Sequence, residues 1–319
     1  LLREDELELI SDMRPGLIQL EIGVQSTNGD TIREIHRTMR LEEVYRAVNR
    51  VKAGKNIHQH LDLIAGLPFE DYQRFQQSFN DIYAPHPQQL QLGFLKVLKG
   101  SYMYEHAQEY GLVYRSRPPY EVMASKWVSY DEMLEIRLVE EMLELHYNSG
   151  QFLTYLAVLE WKYDSTFQMF LDMGHFYREH GYLDCSHSRV RRTEIVQEFA
   201  EIVDPERRDI YREALIFDLY KIEKSKSRPF WAKNVQQDKR QTGKYLREHG
   251  MEKKYCHFEY FEHINEKGEI TEEKDPLWLL FDYENRDSLT NEAALFRIDE
   301  MGLQSGCGGV QWFRKMKMT

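Results

Sequence analysis

The first hundred residues alternate between two patterns of polarity. Residues 19–26, 58–68 and 89–97 alternate apolar and polar side chains with a period of two, which is typical of β-strands. Residues 28–54 and 71–83, which lie between these segments, repeat apolar side chains at helical spacing. Three strands joined by helices form β–α–β units, so the pattern predicts a parallel sheet.

One face of each predicted strand is polar. This face contains every second residue from Gln19 to Gln25 in the first strand and from His58 to Gly66 in the second. A buried parallel strand is usually apolar on both faces. We therefore expect strands that line the inside of a partial or open (β/α) barrel. Active sites in such barrels lie at the C-terminal ends of the strands, which here are residues 25–26, residues 66–68 and Lys96.

Beyond residue 120 the pattern becomes mainly helical. Residues 131–147 predict an amphipathic helix in which Leu134, Leu138, Met142 and Leu145 share one face. Residues 255–264 and 277–283 alternate again and predict two paired antiparallel strands. The expected domains are a half barrel in residues 1–120, a helical domain in 121–250, a small antiparallel sheet in 251–300 and a flexible tail in 301–319.

The amino-acid composition argues against several classes of protein. The 319 residues contain 42 Lys and Arg against 53 Asp and Glu, a net charge of −11 that argues against binding nucleic acid through bulk charge. We expect no membrane span, because no apolar run is long enough, and no signal peptide. The three scattered cysteines exclude a disulfide scaffold and predict a reducing, cytoplasmic location. The chain begins with Leu1 rather than Met, so we expect it to be part of a longer protein.

Three strings in the predicted half barrel resemble a known family. They are EIGVQS in residues 21–26, IHR in residues 35–37 and DLIAGLP in residues 62–68. They resemble the back half of the radical S-adenosylmethionine (SAM) barrel. The most similar patterns are those of oxygen-independent coproporphyrinogen oxidase and of cobalamin-binding members such as the anaerobic magnesium-protoporphyrin ester cyclases. In that pattern an Arg follows the Gln of Gly-Val-Gln by 12 residues and an Asp follows it by 37, and Gln25, Arg37 and Asp62 keep both spacings.

The resemblance implies a binding role for five residues. Arg37 would pair with the methionine carboxylate of SAM, because a guanidinium fork fits a carboxylate through two hydrogen bonds. Gln25 and Asp62 would bind the ribose hydroxyls, Ile64 would pack on the adenine, and Gly66 would let the backbone approach the adenine closely. The family uses a [4Fe–4S] cluster to cleave SAM and produce a 5′-deoxyadenosyl radical. The strand alternation independently places Gln25, Asp62, Ile64 and Gly66 on the inward face.

One feature of the family pattern is missing. The family binds its cluster through C-x3-C-x2-C, and this sequence contains no such motif; Cys185, Cys256 and Cys307 lie beyond the half barrel. We expect the cluster ligands upstream of Leu1, together with a cobalamin-binding domain. The chain alone should therefore hold no cluster and be inactive. The sequence assigns no catalytic residue and no metal site.

The sequence thus predicts a fragment of a radical SAM enzyme that carries out methyl transfer, cyclisation or another modification of an unknown small molecule. The alternative is a non-catalytic half-barrel scaffold whose helical domain binds a protein. A hydrolase on a (β/α) barrel is disfavoured, because no paired carboxylates occupy the strand ends. An open barrel edge predicts either a homodimer or an edge that the helical domain covers.

Several side chains have competing interpretations. Glu21 is a general base, a substrate contact or, as we expect, a buried structural carboxylate paired with His60. His58, His60 and Asp62 share a face and resemble a metal triad, although they lie deeper than the predicted site. Lys96 is either a substrate contact or a solvated lysine. The tyrosines between residues 102 and 114 are most simply packing, and the basic run of residues 221–228 is a solvated helix end or a partner site.

Overall fold

The structure, a computed structural model, describes residues 2–233, 239–298, 303–304 and 310–311. The chain forms two compact units. Unit 1 contains Leu1–Ser149 and Tyr163–Leu183, and unit 2 contains Gly150–Lys162 and Asp184–Thr319. The tail predicted to be flexible, residues 301–319, lies outside the described residues except for two short paired strands.

The described helices and strands follow the chain in this order. The α-helices are α1 Glu4–Ser11, α2 Gly29–Glu34, α3 Leu41–Gly54, α4 Tyr72–Tyr83, α5 Tyr102–Glu105, α6 Tyr130–Met142, α7 Leu153–Leu159, α8 Thr166–Glu179, α9 Arg189–Val203, α10 Arg208–Ile222 and α11 Lys239–Glu248. The strands are β1 Gln19–Gln25, β2 His58–Ala65, β3 Gln89–Phe94, β4 Val113–Tyr114, β5 Val122–Ala124, β6 Cys256–Phe261, β7 Leu277–Arg286, β8 Ala293–Ile298, β9 Leu303–Gln304 and β10 Val310–Gln311. A π-helix, Leu143–Asn148, continues α6, and short 3₁₀ helices occupy Glu160–Lys162, Pro205–Arg207 and Lys253–Tyr255.

Unit 1 is built on a parallel sheet in the order β1-β2-β3. The register places Gly23 beside Asp62 and Asp62 beside Gln91, so these three residues form one row across the sheet. All three strands begin at the residue that the polarity pattern predicts and end one to three residues earlier than predicted. The chain is therefore a mixed α/β protein, as predicted.

The two faces of this sheet differ in exposure. Along β2, Gln59, Leu61, Leu63 and Ala65 are buried, whereas the residues between them are only partly buried. Helices α3 and α4 supply buried apolar side chains, and the Gln59 side chain donates a hydrogen bond to the backbone of α3 at Val48 O (3.0 Å). The opposite face carries the polar side chains, as the alternation predicts.

The predicted helix at residues 131–147 is divided in the structure. It consists of α6 and the following π-helix, and Leu134, assigned to the apolar face, is 42 % exposed. Met133, Ile136 and Val139 are buried instead, because α6 packs closely against α8.

The outer edge of β3 is covered by Asn148, the last residue of the π-helix. Its side-chain amide donates to Leu90 O (2.9 Å) and accepts from Leu90 N (3.0 Å), as a neighbouring peptide group would. Beyond β3, the chain pairs with residues 120–122 through bonds from Val97 N to Tyr120 O (2.9 Å) and from Val122 N to Leu95 O (2.8 Å).

Unit 2 combines helices with an antiparallel sheet in the order β6-β7-β8. The predicted pair of antiparallel strands is confirmed by β6 and β7, with Cys256 opposite Asp282. The sequence analysis missed β8. Phe217 of α10 packs against β6 and β7 in an apolar cluster that closes one face of the sheet.

The basic run of residues 221–228 is partly neutralised within unit 2. Lys221 pairs with Glu292 (2.8 Å), and Arg228 pairs with the buried Glu259 (2.6 Å). These two cations therefore act within the fold and not as a free basic surface.

A buried carboxylate ties α7 to α10. Asp218 of α10 accepts hydrogen bonds from the backbone amides of Thr154 (3.1 Å) and Tyr155 (2.9 Å) in the first turn of α7. The residue before the helix, Phe152, offers no side-chain cap, so Asp218 supplies the missing acceptor from a distant helix. Burial raises the pKa of Asp218 to about 6.

We expect Asp218→Asn to change how stability depends on pH. The folded protein holds the Asp218 proton up to pH 6, whereas the unfolded chain releases it near the ordinary value of 3.8, so ionisation costs stability as pH rises between these values. Relative to the variant, the wild type should lose about 2 kcal/mol of unfolding free energy between pH 4 and pH 7. Urea unfolding followed by circular dichroism measures this difference. Asp209→Asn, at an exposed aspartate of α10, is the control; parallel curves for wild type and Asp218→Asn would contradict the assignment.

Candidate functional site

The end of β1 contains a β-bulge. Gly23 pairs with Asp62, but Gln25 pairs with Leu63, so Val24 is an extra residue on β1. Gln25 has φ of 73°, in the left-handed region that a non-glycine residue enters at a cost of about 1–2 kcal/mol. The bulge redirects the Gln25 side chain, and such backbone strain is concentrated at functional sites.

Gln25 and Arg37 lie over the same glycine. A Cβ atom placed on Gly23 would lie 2.6 Å from Nε2 of Gln25 and 3.5 Å from a terminal nitrogen of Arg37. A larger residue at position 23 would require the Gln25 amide to move, whereas its contact with Arg37 would be at an ordinary distance. Because Gly23 is the neighbour of Asp62 in the sheet, the structure brings three of the five predicted residues to one end of the polar face.

Arg37 is positioned by the end of α2. The amide of His36 donates to Arg33 O (3.1 Å) and that of Arg37 to Ile32 O (3.0 Å), the two bonds of a Schellman motif. His36 occupies the left-handed position (φ 56°) that glycine usually fills. Arg37 also lines a cleft of about 480 Å³ beside β1, whose other lining residues come mainly from β1, α1 and α3 and include neither Gln25 nor Asp62.

Two tyrosines hold the carboxylate at the end of α2. Tyr102 OH donates to Glu34 (2.9 Å), and Tyr110 OH donates to the same oxygen. Both hydrogen bonds lower the pKa of Glu34, and the bond from Tyr110 has the larger effect. The His36 ring packs edge-on against Tyr102. Tyr102 and Tyr110 therefore do more than fill space, because they fix the helix end that carries Arg37.

A buried network, which sequence reasoning missed, holds the residue after Gln25. Ser26 Oγ and Ser78 Oγ each donate to Glu70 Oε1 at 2.6 Å, and all three residues are almost fully buried. Burial raises the pKa of Glu70. One sequence signal was present: Ser26 has the parity of the helix-facing side of β1, so its hydroxyl required a buried acceptor.

Asp62 lies beside a histidine on the polar face. The Asp62 Oδ1 atom is 3.4 Å from Nε2 of His60. Burial raises the pKa of Asp62, the nearby His60 opposes this rise, and the nearby Glu21 adds to it. The expected pairing of Glu21 with His60 is wrong, because Glu21 is exposed and Asp62 is the carboxylate beside His60. No three His, Cys, Asp or Glu residues in the described part of the chain are grouped as a metal site would need.

Ile64 and Gly66 differ in surroundings. Ile64 is partly exposed on the polar face and lies over Gly93, whose missing Cβ would be 3.7 Å from Ile64 Cγ1. Gly66 is buried with φ of 87°, and a Cβ there would lie 2.8 Å from Met133 Cε and 3.3 Å from Val122 Cγ1. The turn and the local packing both require glycine at this position. The approach of an adenine at Gly66 stays a prediction.

We expect glycine to be better tolerated than alanine at Gln25. Alanine keeps the strained left-handed backbone, whereas glycine removes the strain, so Gln25→Gly should be more stable than Gln25→Ala by about 1 kcal/mol. The matched control is Gln91, which is exposed on β3 and has no left-handed backbone; there glycine should be less stable than alanine by about 0.5–1 kcal/mol. Urea denaturation of the four variants measures both differences. The same order at both positions would show that the bulge carries no strain.

The described cysteines supply no cluster site. Cys185 is exposed, Cys256 is buried in β6, and Cys307 lies outside the described residues. The donor set for a [4Fe–4S] cluster is therefore not found in the described part of this chain.

Comparison with known protein families identifies the family of this chain. The sequence profile of the family described as "Protein of unknown function (DUF4080)" matches residues 108–281, which is 174 of the 319 residues. The chain belongs to this family. No curated protein matches this DUF4080 protein.

Among solved structures, the DUF4080 protein is similar to coproporphyrinogen III oxidase (HemN) from Escherichia coli, which is described as a radical SAM enzyme. The identity is 23 % and the TM-score 0.25, and the match covers 28 % of this chain and 21 % of that enzyme. The chain thus spans about a fifth of the length of that enzyme. No described helix has the length and apolar character needed to cross a membrane.

Proposed function

We propose that this chain is the part of a radical SAM enzyme that binds the methionine and ribose ends of SAM. The observation that carries the proposal is the convergence of Gln25 and Arg37 over Gly23, in the same row of the sheet as Asp62. The spacing of these residues in the sequence supports it.

The chemistry of the side chains fits the proposed ligand. The Arg37 guanidinium offers paired donors to a carboxylate. The Gln25 amide both donates and accepts, and the Asp62 carboxylate accepts, so together they can bind two neighbouring hydroxyl groups. The partly exposed Ile64 offers apolar surface to a flat ring. A molecule with a carboxylate, a diol and a planar ring uses all four groups.

The proposal extends to the complete protein. SAM supplies a carbon radical when it is reduced, and methyl transfer, cyclisation or another modification of a small molecule would follow. Cluster-binding cysteines and a cobalamin-binding domain upstream of Leu1, and a cytoplasmic location, are parts of this proposal that rest on the sequence resemblance alone.

The binding of SAM tests the proposal directly. Isothermal titration of this chain with SAM and with S-adenosylhomocysteine should show saturable binding at one site per chain. In parallel, the reading frame upstream of Leu1 should encode C-x3-C-x2-C. The complete protein, reconstituted without oxygen and reduced with dithionite, should then release 5′-deoxyadenosine. Failure to bind either ligand, together with an upstream frame that lacks the cysteines, would overturn the proposal and favour the scaffold alternative.

A further inference from the structure

An exposed aromatic residue stands in a strained turn at the C-terminal end of β2. Phe69 is 44 % exposed and has φ of 64°. The left-handed region is a genuine outlier for a bulky side chain. Folding gains little from an aromatic ring that is left in water, and the strain adds a further cost. The local fold therefore does not explain why phenylalanine occupies this position.

The strained turn is held firmly from both sides. Asn28 Nδ2 donates to Phe69 O (2.6 Å), and Thr31 Oγ1 donates to Pro68 O (2.8 Å). The next residue, Glu70, is fixed by Ser26 and Ser78. The structure thus imposes the conformation that exposes the Phe69 ring.

Phe69 is part of a cluster of rings drawn from different loops. Its ring centroid lies 4.8 Å from that of Trp127 and 6.4 Å from that of Tyr110, and the Tyr110 and Trp127 centroids are 5.8 Å apart. His106 stacks on Tyr110 at 5.8 Å. Phe69 follows β2, at the end of a parallel sheet where barrel enzymes bind their substrates, whereas Tyr110 follows α5 and Trp127 follows β5. We call Phe69, Tyr110 and Trp127 the aromatic shelf.

The shelf favours a flat ligand. Aromatic rings attract other planar π-systems by stacking, with an energy that exceeds the effect of buried area alone, and they gain less from a bulky aliphatic group. Tyr110 is almost fully buried and its hydroxyl is engaged by Glu34, so the exposed Phe69 and the partly buried Trp127 supply the contact surface.

We propose that the aromatic shelf binds a planar conjugated ring, and that this ring belongs to the molecule on which the enzyme acts. The second part rests on the proposed function; the first part does not. The shelf shares no residue with the set proposed for SAM, which is Gln25, Arg37, Asp62, Ile64 and Gly66. Because Gly66 precedes Phe69 by only three residues, competition with adenosine tests whether the two sites are separate.

The test uses proflavine, a planar three-ring cation, and 1-adamantanamine, an aliphatic cage that also carries a positive charge. Proflavine should bind this chain saturably with a shift in its absorbance and should quench part of the fluorescence of the five tryptophans, and Trp127→Leu should remove that part. An excess of 1-adamantanamine should not displace it. Phe69→Ala and Trp127→Leu should each weaken proflavine binding about tenfold, because each removes one stacking partner.

Two controls separate binding from folding. Phe230→Ala, which removes a phenylalanine that is 83 % exposed in unit 2, should leave proflavine binding unchanged. Phe69→Gly should be more stable than Phe69→Ala, since it relieves the strained turn, yet it should bind proflavine equally weakly. A ring with only a structural role would give a loss of stability instead.

The outcomes distinguish the two proposals. Proflavine binding that survives Phe69→Ala, or that falls equally in Phe230→Ala, overturns the shelf. Displacement of proflavine by adenosine overturns the assignment to the substrate, because the shelf would then hold the adenine of SAM. Retained proflavine binding in a chain that does not bind SAM supports the shelf as a ring-binding site and counts against the proposed function alone.

Discussion

Replacing Arg37 with alanine is expected to weaken SAM binding about thirtyfold, which corresponds to about 2 kcal/mol. The guanidinium lies over Gly23 beside the Gln25 amide and faces a cleft, and the Schellman turn at the end of α2 fixes its backbone. A bidentate contact to a carboxylate is worth more than a neutral hydrogen bond. Since Arg37 is exposed, solvent screening keeps the effect below that of a buried charge pair.

A ligand that lacks the methionine carboxylate tests the role of Arg37 most directly. 5′-Methylthioadenosine has the adenine and ribose of SAM but no methionine carboxylate, so Arg37→Ala should leave its affinity unchanged. Arg33→Ala is the matched control, because Arg33 is an exposed arginine of α2 that pairs with Asp30. Titration calorimetry measures all the affinities. An equal loss for both ligands would mean that Arg37 supports the fold and does not recognise the carboxylate.

The second large effect is expected in the packing of unit 1, where Gly174→Val should destabilise the protein by about 3 kcal/mol. A Cβ on Gly174 of α8 would lie 2.4 Å from Leu138 Cγ and 2.9 Å from Leu138 Cδ2. Leu138 is 6 % exposed on α6, and such close contacts force either a side chain or a helix to move.

A double-mutant cycle isolates this contact. Leu138→Ala alone should cost about 2–5 kcal/mol by opening a cavity, but combined with Gly174→Val the total loss should be smaller than the sum of the two, because the valine fills the space. Gly29→Ala, at a helical glycine with no heavy atom within 4 Å of the added carbon, should be close to neutral. Urea unfolding provides the free energies. Additive losses in the cycle would show that the two helices are not held at this distance.

The parallel sheet was predictable because each of its strands has two distinct faces. The alternation from His58 to Ile64 predicts a strand. Because helices pack against the apolar face of the sheet, the polar residues lie on the opposite face. Strand β8 was missed because it pairs only after a turn that follows an unusually long β7, and residues 293–298 are too short and mixed to show a period. The exposure of Leu134 was missed because the buried face of α6, which includes Met133, Ile136 and Val139, is not centred on the predicted stripe and leaves Leu134 outside it.

The candidate site was predictable only as a set of residue types. The spacing of Gln25, Arg37 and Asp62 identified the residues, but the β-bulge that redirects Gln25 depends on a register shift between strands, which local polarity does not encode. The Glu70 network depends on contacts between residues 44 and 8 positions apart. The strain at Phe69 likewise has no local signature, since phenylalanine is an unusual choice for a left-handed turn.

The amide of Asn148 also limits how the sheet of unit 1 can grow. It hydrogen-bonds both backbone groups of Leu90 and so blocks another strand from pairing with β3 at this residue. Residues 120–122 cover the next part of the same edge. In the described residues β1 pairs with β2 alone, so an incoming strand can be added only there. A sheet with one free edge can pair with one other sheet, and no free edge then remains. A sheet with two free edges can add further sheets without limit. Association through β1 would thus end at a closed pair.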